Sequence, residues 1–452
     1  MALLVPITMF GWLGVVLMFY AYLPPRRAVI YSLIGGWLFL PMAEYDFVML
    51  PPWSKATVTT YCLYFAILLF DRDRLQSLRL KLIDIPLLLF CCAPFFSSMS
   101  NDLGLWDGLT GIFNRFIVWG GPYFIGRMFF SRPEDFRELA LGIFIGGLIY
   151  VPFCLYEMRM SPQLHRLVYG FSVSSYISTI RFGGYRPTVF MQHGLMVGIW
   201  MCMALVMGAW LWRSGVVKRV LGVPIGLAVA VQFVTLVLCR ALNGYALAIL
   251  TLSALFVSKW TRNRVPLVVL ALIPALYPFV RINDAISIDP ALEMVASVVE
   301  TQIDPARAKT FRGRLNKEGY YVAHAWERPI CGWGGFDRAK PTEDEAGQQV
   351  RGIDALWIGV FGTNGLLGLG ALWMATLLPT FLILYRHGRS ALTQAPLGPV
   401  LVSAAVVPMY MIDNLMNAMF NPLLVALVGG LAGFVTTYRP NSRRRNTKRG
   451  GS

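Results

Sequence analysis

The chain has 452 residues, of which 56% are hydrophobic and 14% charged, against roughly a quarter charged in soluble domains. That composition excludes a soluble globular protein. Its 40 Lys+Arg and 24 Asp+Glu leave a formal charge of +16, which in a soluble chain would suggest nucleic acid as a partner. Here the charge first has to be sorted by membrane side.

A bilayer core takes about 20 predominantly apolar residues per helix, and such runs follow one another from Leu3 to Val435. With Arg/Lys, Pro and acidic clusters as stops, thirteen spans are predicted: residues 3–23, 28–43, 56–70, 82–98, 109–126, 139–156, 189–212, 217–238, 241–258, 265–280, 354–385, 396–412 and 421–438. The fifth carries Arg115 and the run Gly120, Gly121, Pro122. A break or tilt is therefore expected there, and the count lies between about twelve and fourteen. The first run lacks the basic start and small-residue cleavage site of a signal peptide and reads as a retained span. Of the seven cysteines only Cys331 stands in a long polar loop, so no disulfide framework and no Cys/His metal site is expected.

The fold class is thus an all-α polytopic membrane protein. It divides into membrane spans over 1–280, an extracytoplasmic loop subdomain over 281–353, further spans over 354–438 and a basic tail over 439–452. If the spans alternate, the basic connections at 24–27, 71–81, 126–138, 213–219, 259–264 and 385–389 share one face with the tail. The enrichment of short cytoplasmic connections in Lys and Arg makes that face the cytoplasm, with the N-terminus outside and the C-terminus inside. Nearly all the positive excess falls on that face, where it is an orientation signal toward an anionic leaflet. Nucleic acid is thereby removed as a partner.

Two outer regions, 157–188 and 281–353, are too long for simple turns and so are expected to carry function. In the second, PALEMVASVVETQ reads as a short amphipathic helix behind a Pro start. Another helix is predicted from Arg312 to Trp326, closed by Pro329 and CGWGGFD. Along it Arg314, Lys317, Tyr321, His324 and Arg328 recur every three or four residues and share one face. Tyr320, Val322, Ala323 and Trp326, on the other face, are expected to rest on the membrane domain.

No P-loop, Rossmann glycine pattern, nucleophile elbow or zinc spacing is present, so any chemistry rests on ionisable groups at the outer face, where such groups are costly. Arg240, in VLCRALNGYAL, is either an arginine snorkelling to the interface or an anion site, since a guanidinium fork matches phosphate. Arg186 precedes Pro187, which is expected to open the seventh span; it is a helix-end anchor or a second anion group. Gln192 and His193 then fall inside that span. Arg307, Lys309, Arg312, Arg314 and Lys317 form a run without acids, either a solvated face or a binding surface outside the membrane. Asp354, at the mouth of the eleventh span, either favours the helix dipole or acts as a general base, its pKa raised by desolvation.

Four pieces in order resemble the membrane O-antigen polymerase and ligase superfamily. GYRPTVFMQHGLMVG runs into a span, LCRALNGYALAIL is similar to the family's arginine turn, and FRGRLNKEGYYVAHAWERPICGWGGFD is similar to its Arg…Trp…Pro…Gly…Phe signature. DALWIGVFGTNGLLGLG is similar to the family's next span entrance; together the pieces cover residues 183–370. The resemblance implies a metal-independent, cofactor-free GT-C-type glycosyltransferase of the bacterial inner membrane. It implies an undecaprenyl-pyrophosphate-linked glycan donor, a glycan acceptor and a chain-length regulator as partners, and synthesis of O-antigen or exopolysaccharide by inverting transfer. Arg186, Arg240 and one or both of Arg312 and Arg314 would hold the pyrophosphate, with Lys317 and Tyr321 on the same helix face. Where ligases show His-Asn this chain has Asp354-Ala355, which makes Asp354 the candidate base, as in related peptidoglycan polymerases, and His324 the second. Trp326, Trp333, Tyr320 and Tyr321 are sugar-stacking candidates or an interfacial aromatic belt.

Polymerisation is the reading this supports. A ligase transferring finished glycan to a lipopolysaccharide core is its neighbour, and a lipid-linked oligosaccharide flippase is the rival from another class. A transporter is expected to show inverted repeats and charges near midplane, whereas the charged candidates here sit at one face.

Overall fold

The structure, a computed structural model, describes residues 3–47, 50–181, 183–283, 289–302, 305–341, 352 and 355–438. Backbone that crosses lipid must satisfy its N–H and C=O groups internally, which helices do, and the apolar runs are accordingly helical. In chain order the first helices are α1 (Leu4–Tyr22), α2 (Pro25–Phe39), α3 (Val58–Phe70), α4 (Arg72–Gln76), α5 (Ile85–Ser100), α6 (Leu105–Arg115) and α7 (Gly121–Phe129). Then follow α8 (Pro133–Met160), α9 (Leu164–Tyr169), α10 (Tyr176–Thr179), α11 (Gly194–Arg213), α12 (Ile225–Leu238), α13 (Leu242–Thr261) and α14 (Val265–Asn283). The last are α15 (Asp289–Gln302), α16 (Pro305–Trp326), α17 (Leu356–Thr393), α18 (Gly398–Asp413) and α19 (Pro422–Thr437). Three antiparallel hairpins punctuate them: β1 (Glu44–Phe47) with β2 (Leu50–Ser54), β3 (Ile180–Arg181) with β4 (Gly184–Tyr185), and β5 (Arg219–Val220) with β6 (Val223–Pro224).

Among the described residues eight helices are long and apolar enough to cross a membrane, and three apolar ones are shorter, at Val58–Phe70, Ile225–Leu238 and Pro422–Thr437. Each of the thirteen expected spans contains a helix, but the lengths depart in both directions: α12 has 14 residues, fewer than expected, and α8 has 28, more than expected. Hairpins and prolines consume the ends of the apolar runs. A 13-residue helix such as α3 rises only about 20 Å, less than the hydrocarbon core of about 30 Å. The predicted break in the fifth span is a π-helical turn at Phe116–Gly120 joining α6 to α7.

α11 is apolar on every side (GLMVGIWMCMALVMGAWLWR), the pattern of a helix enclosed by protein. It is the central post, packed by α8, α12, α13 and α18, with Trp200 and Trp210 fully buried. α7 and α19 approach until their backbones touch. A Cβ on Gly126 would lie 1.8 Å from the carbonyl oxygen of Ala426, and one on Gly429 would lie 1.9 Å from that of Tyr123. Small residues permit such approach where lipid supplies little hydrophobic drive between helices.

Contacts between connections respect the alternation read from charge. At the basic end Arg127 grips Asp84 through Nε and Nη2 at 2.8 and 3.0 Å, Arg26 pairs with Asp135 at 2.6 Å, and Arg264 donates to the Leu384 carbonyl at 3.0 Å. At the other end Lys55 reaches Phe190, Asn101 reaches Gly332, and Arg314 reaches Met416. No connection of one set bonds to the other set among the described residues.

Candidate functional site

The segment before α11 is not helical, contrary to expectation. Pro187 does not open a helix, and α11 begins at Gly194 with His193 as its N-cap, the imidazole Nδ1 accepting from Leu195 N at 3.2 Å. The cause is tertiary. The fully buried Glu157 carboxylate accepts from the backbone N–H groups of Leu164 (2.8 Å), Thr188 (2.8 Å) and Val189 (2.7 Å). Lys55 Nζ meanwhile donates to the carbonyls of Leu40 and Phe190, both at 2.7 Å. Burial pushes the Lys55 ammonium down to about 7. Val189 takes a left-handed φ of 51°, an outlier for a β-branched residue. Gln192 is exposed and His193 half-buried, so neither lies inside the span.

This pinned segment holds Arg186, 7% exposed, against the start of α11: a Cβ on Gly194 would meet Arg186 Cδ at 2.2 Å. Hairpin β3–β4 presents Arg181 beside it. Burial lowers the His193 imidazole to about 4, helped by the charges of Arg186, Arg181 and Arg314. Arg186 is thus held at the N-terminus of the central helix, whose free N–H groups and dipole favour anions.

Arg240 completes the group. It follows the last turn of α12 with φ 54°, a position where glycine is the unstrained residue. Strain of this kind, of order 1–3 kcal/mol, clusters at functional sites. Its Nη1 donates to the Arg181 carbonyl at 2.8 Å, and its guanidinium covers Gly184, whose Cβ, if present, would lie 2.2 Å from Nη1.

Arg314 enters from α16. Its Nη1 donates to the carbonyl of Met416 at 3.0 Å and to Asn417 Oδ1 at 3.2 Å. Asn417 and Asn243 both donate to Oδ1 of the buried Asp413, at 3.0 and 2.9 Å, so this network links α16 to the turn that carries Arg240. Lys317 and Tyr321 line the same small cleft with Glu318, Ala355 and Ile358. Asp354 lies outside the described residues.

Glu318 was not anticipated. It is 3% exposed, its Oε2 accepting from Tyr277 Oη (2.9 Å) and Arg281 Nε (3.2 Å), and its Oε1 has no hydrogen-bond partner among the described residues. Burial pushes its carboxyl up to about 7, against the Tyr277 hydrogen bond and the Arg281 charge. A carboxyl group poised near neutrality is suited to proton transfer. The signal in the sequence was one acid four residues after Arg314.

Other expectations need correction. α16 starts at Pro305 rather than Arg312, and its buried face carries Glu318, Tyr321 and Ala325. Val322 packs on the core and Trp326 donates to the Ile282 carbonyl at 3.1 Å and meets the Phe361 ring, as expected, whereas Ala323 is exposed. The basic stripe faces inward because polar partners on α18 and its following turn await it. Arg312 is not in the group: it bridges to Glu293 (2.6 Å) and Glu300 (2.8 Å) of α15. His324 is also apart from it, stacked on Trp333 at 4.6 Å and bonded through Nε2 to the Arg338 carbonyl at 2.9 Å. The side chain of Arg307 is outside the described residues.

A cavity of about 610 Å³ opens at the same end, beyond α17. Asp107, Asn114 and Arg115 of α6 face Thr363 and Asn364 of α17 across it, with Trp119 and Phe336 as aromatic walls. Arg115 Nη2 donates to Asn364 Oδ1 at 2.9 Å. One wall is a helix break: Gly365 has φ 62° and ψ −164°, and the loop after α16 fills the gap. Leu366 N donates to the Pro329 carbonyl (2.7 Å), while Trp333 N and Gly334 N donate to the carbonyls of Gly362 (2.8 Å) and Thr363 (2.9 Å). The PICGWGG and GTNG pieces are thus one another's hydrogen-bond partners.

No protein-family model matches the chain, and no curated protein matches it significantly.

Proposed function

We propose that this protein is a membrane glycosyltransferase of the O-antigen polymerase and ligase type, which joins undecaprenyl-pyrophosphate-linked repeat units at the outer face of the bacterial inner membrane. The observation that carries the reading is geometric: Arg186 packs on Gly194 at the start of α11, Arg240 bonds to the Arg181 carbonyl and Arg314 bonds to the turn after α18. Guanidinium groups from separate elements bind the oxygens of a pyrophosphate and stabilise the charge that develops as it leaves.

In the reaction the acceptor hydroxyl oxygen attacks the anomeric carbon of the donor sugar, the bond from that carbon to the phosphate oxygen breaks, and configuration inverts. The electron pair stays on the lipid pyrophosphate. The hydroxyl proton passes to a carboxylate, for which Glu318, in the cleft, and Asp354, singled out by the sequence, are the two candidates. The cavity lined by Asp107, Asn114, Asn364 and Trp119 combines hydrogen-bonding groups with aromatic walls, as sugar recognition requires. The break in α17 has the form of a transporter's discontinuous helix, but its freed backbone groups are occupied by the chain's own loop, which favours the enzyme over the flippase.

In cells, Arg240→Ala and Asp354→Ala are each expected to abolish long-chain glycan while single repeat units accumulate on lipid and the protein remains inserted. Unchanged chain-length ladders in both variants would reject the assignment.

A further inference from the structure

The basic end of the molecule holds a second cavity, of about 270 Å³, formed where the segment after α4, the end of α7 and the end of α19 meet. Four cations line it: Arg74, Arg79, Lys81 and Arg127. Asp71 and Asp84 pair with two of them, Arg74 at 2.7 Å and Arg127 at 2.8 Å, yet neither acid lines the cavity. Arg79 and Lys81 have no carboxylate within ion-pair distance among the described residues, so the lining keeps a net positive charge.

The rear cations are fixed. Arg74 lies 4.6 Å over the Phe129 ring and bonds the Met128 carbonyl at 3.3 Å, and Arg127 is held by Asp84 and by Thr436 Oγ1 at 3.2 Å. Ser131 and Thr436 add hydroxyl groups to the wall. At the mouth the sequence Arg79-Leu80-Lys81-Leu82 alternates basic with apolar. Arg79 and Lys81 line the cavity, while Leu80 (59% exposed) and Leu82 (84% exposed) do not. A concave, net-positive pocket beside exposed leucines is suited to a phosphate whose ester chains lie in the hydrocarbon.

We propose that this cavity holds the phosphate of an anionic phospholipid of the cytoplasmic leaflet. The site is independent of the glycosyl-transfer reading, and its recognition element is the phosphate group. A free phosphate shares that chemistry but makes no use of Leu80 and Leu82.

The test uses the full-length chain in detergent, titrated with phosphatidylglycerol, phosphatidylcholine or inorganic phosphate and read by native mass spectrometry. Phosphatidylglycerol is expected to be retained over phosphatidylcholine. The double substitution of Arg79→Gln with Lys81→Gln is expected to weaken that retention by about 25-fold, fivefold per surface charge. The control pair Arg27→Gln with Arg262→Gln, on the same face but outside the cavity, is expected to leave it unchanged. Binding of inorganic phosphate without preference between the lipids would overturn the lipid as the source. Unchanged phosphatidylglycerol affinity in the Arg79 and Lys81 variant would overturn the site, and both tested side chains are exposed, so folding does not confound the result.

Discussion

Arg240 combines two quantities that substitution separates: a backbone conformation that disfavours any side chain, and a guanidinium held in place. A left-handed φ of 54° costs an L-residue about 1–2 kcal/mol that glycine does not incur. The Nη1 bond to the Arg181 carbonyl at 2.8 Å is charge-assisted and half-buried, worth about 1.5 kcal/mol. Arg240→Gly loses the bond but relieves the strain, so its stability is expected to stay within about 1 kcal/mol of wild type. Arg240→Ala loses the bond and keeps the strain, a cost of about 1.5 kcal/mol. The glycine variant is therefore expected to be the more stable of the two by about 1 kcal/mol, the reverse of their order inside a helix. Thermal unfolding in one detergent measures the order, and glycan synthesis is expected to be lost in both. An alanine variant at least as stable as the glycine one would refute the strain, and activity in either would refute the role of the guanidinium.

Other substitutions test the same account. Gly184→Ala places a Cβ 2.2 Å from Arg240 Nη1; the flexible arginine is expected to move aside, leaving thermal stability nearly intact while chain elongation falls as in Arg240→Ala. Gly126→Ala drives a methyl group into the Ala426 carbonyl, where neither backbone can yield, and is expected to cost about 3 kcal/mol in a detergent unfolding curve. Gly365→Ala meets both a glycine-only conformation and the Ile330 carbonyl at 2.2 Å; a loss of about 3 kcal/mol and proteolytic nicking of the 327–341 loop are expected. For Glu318 the folded carboxyl lies at about 7 against 4.5 for the free group. The folded state then binds more protons between those values, and stability falls as pH rises from about 4.5 through about 7. Glu318→Gln is expected to flatten that slope, an effect of about 3 kcal/mol at its limit, measured by unfolding at pH 5 and pH 8.

The helices were legible because lipid-crossing runs have one solution. The start of α11 was not. Thr188, Val189, Phe190 and Met191 continue the apolar run that becomes the helix, and what keeps them in a turn instead are Glu157 and Lys55, the latter 135 positions away from Phe190. Whether the basic stripe of α16 faces solvent stayed open for a related reason. A basic stripe reads as solvated unless one knows that Met416 and Asn417 offer acceptors to Arg314. Arg186 and Arg240 drew attention by their cost at the membrane boundary, and Arg314 by its place in a basic run outside the membrane. Arg115 carried the same signal, a charge inside an apolar run, but only the tertiary fold places it and Asp107 near Asn364.

Reconstitution into liposomes with lipid-linked repeat units tests the central claim most directly. The account predicts longer chains on the lipid with stoichiometric release of undecaprenyl pyrophosphate, both lost in Arg240→Ala. Translocation of the repeat unit without a new glycosidic bond, or no elongation by wild-type protein, would contradict it.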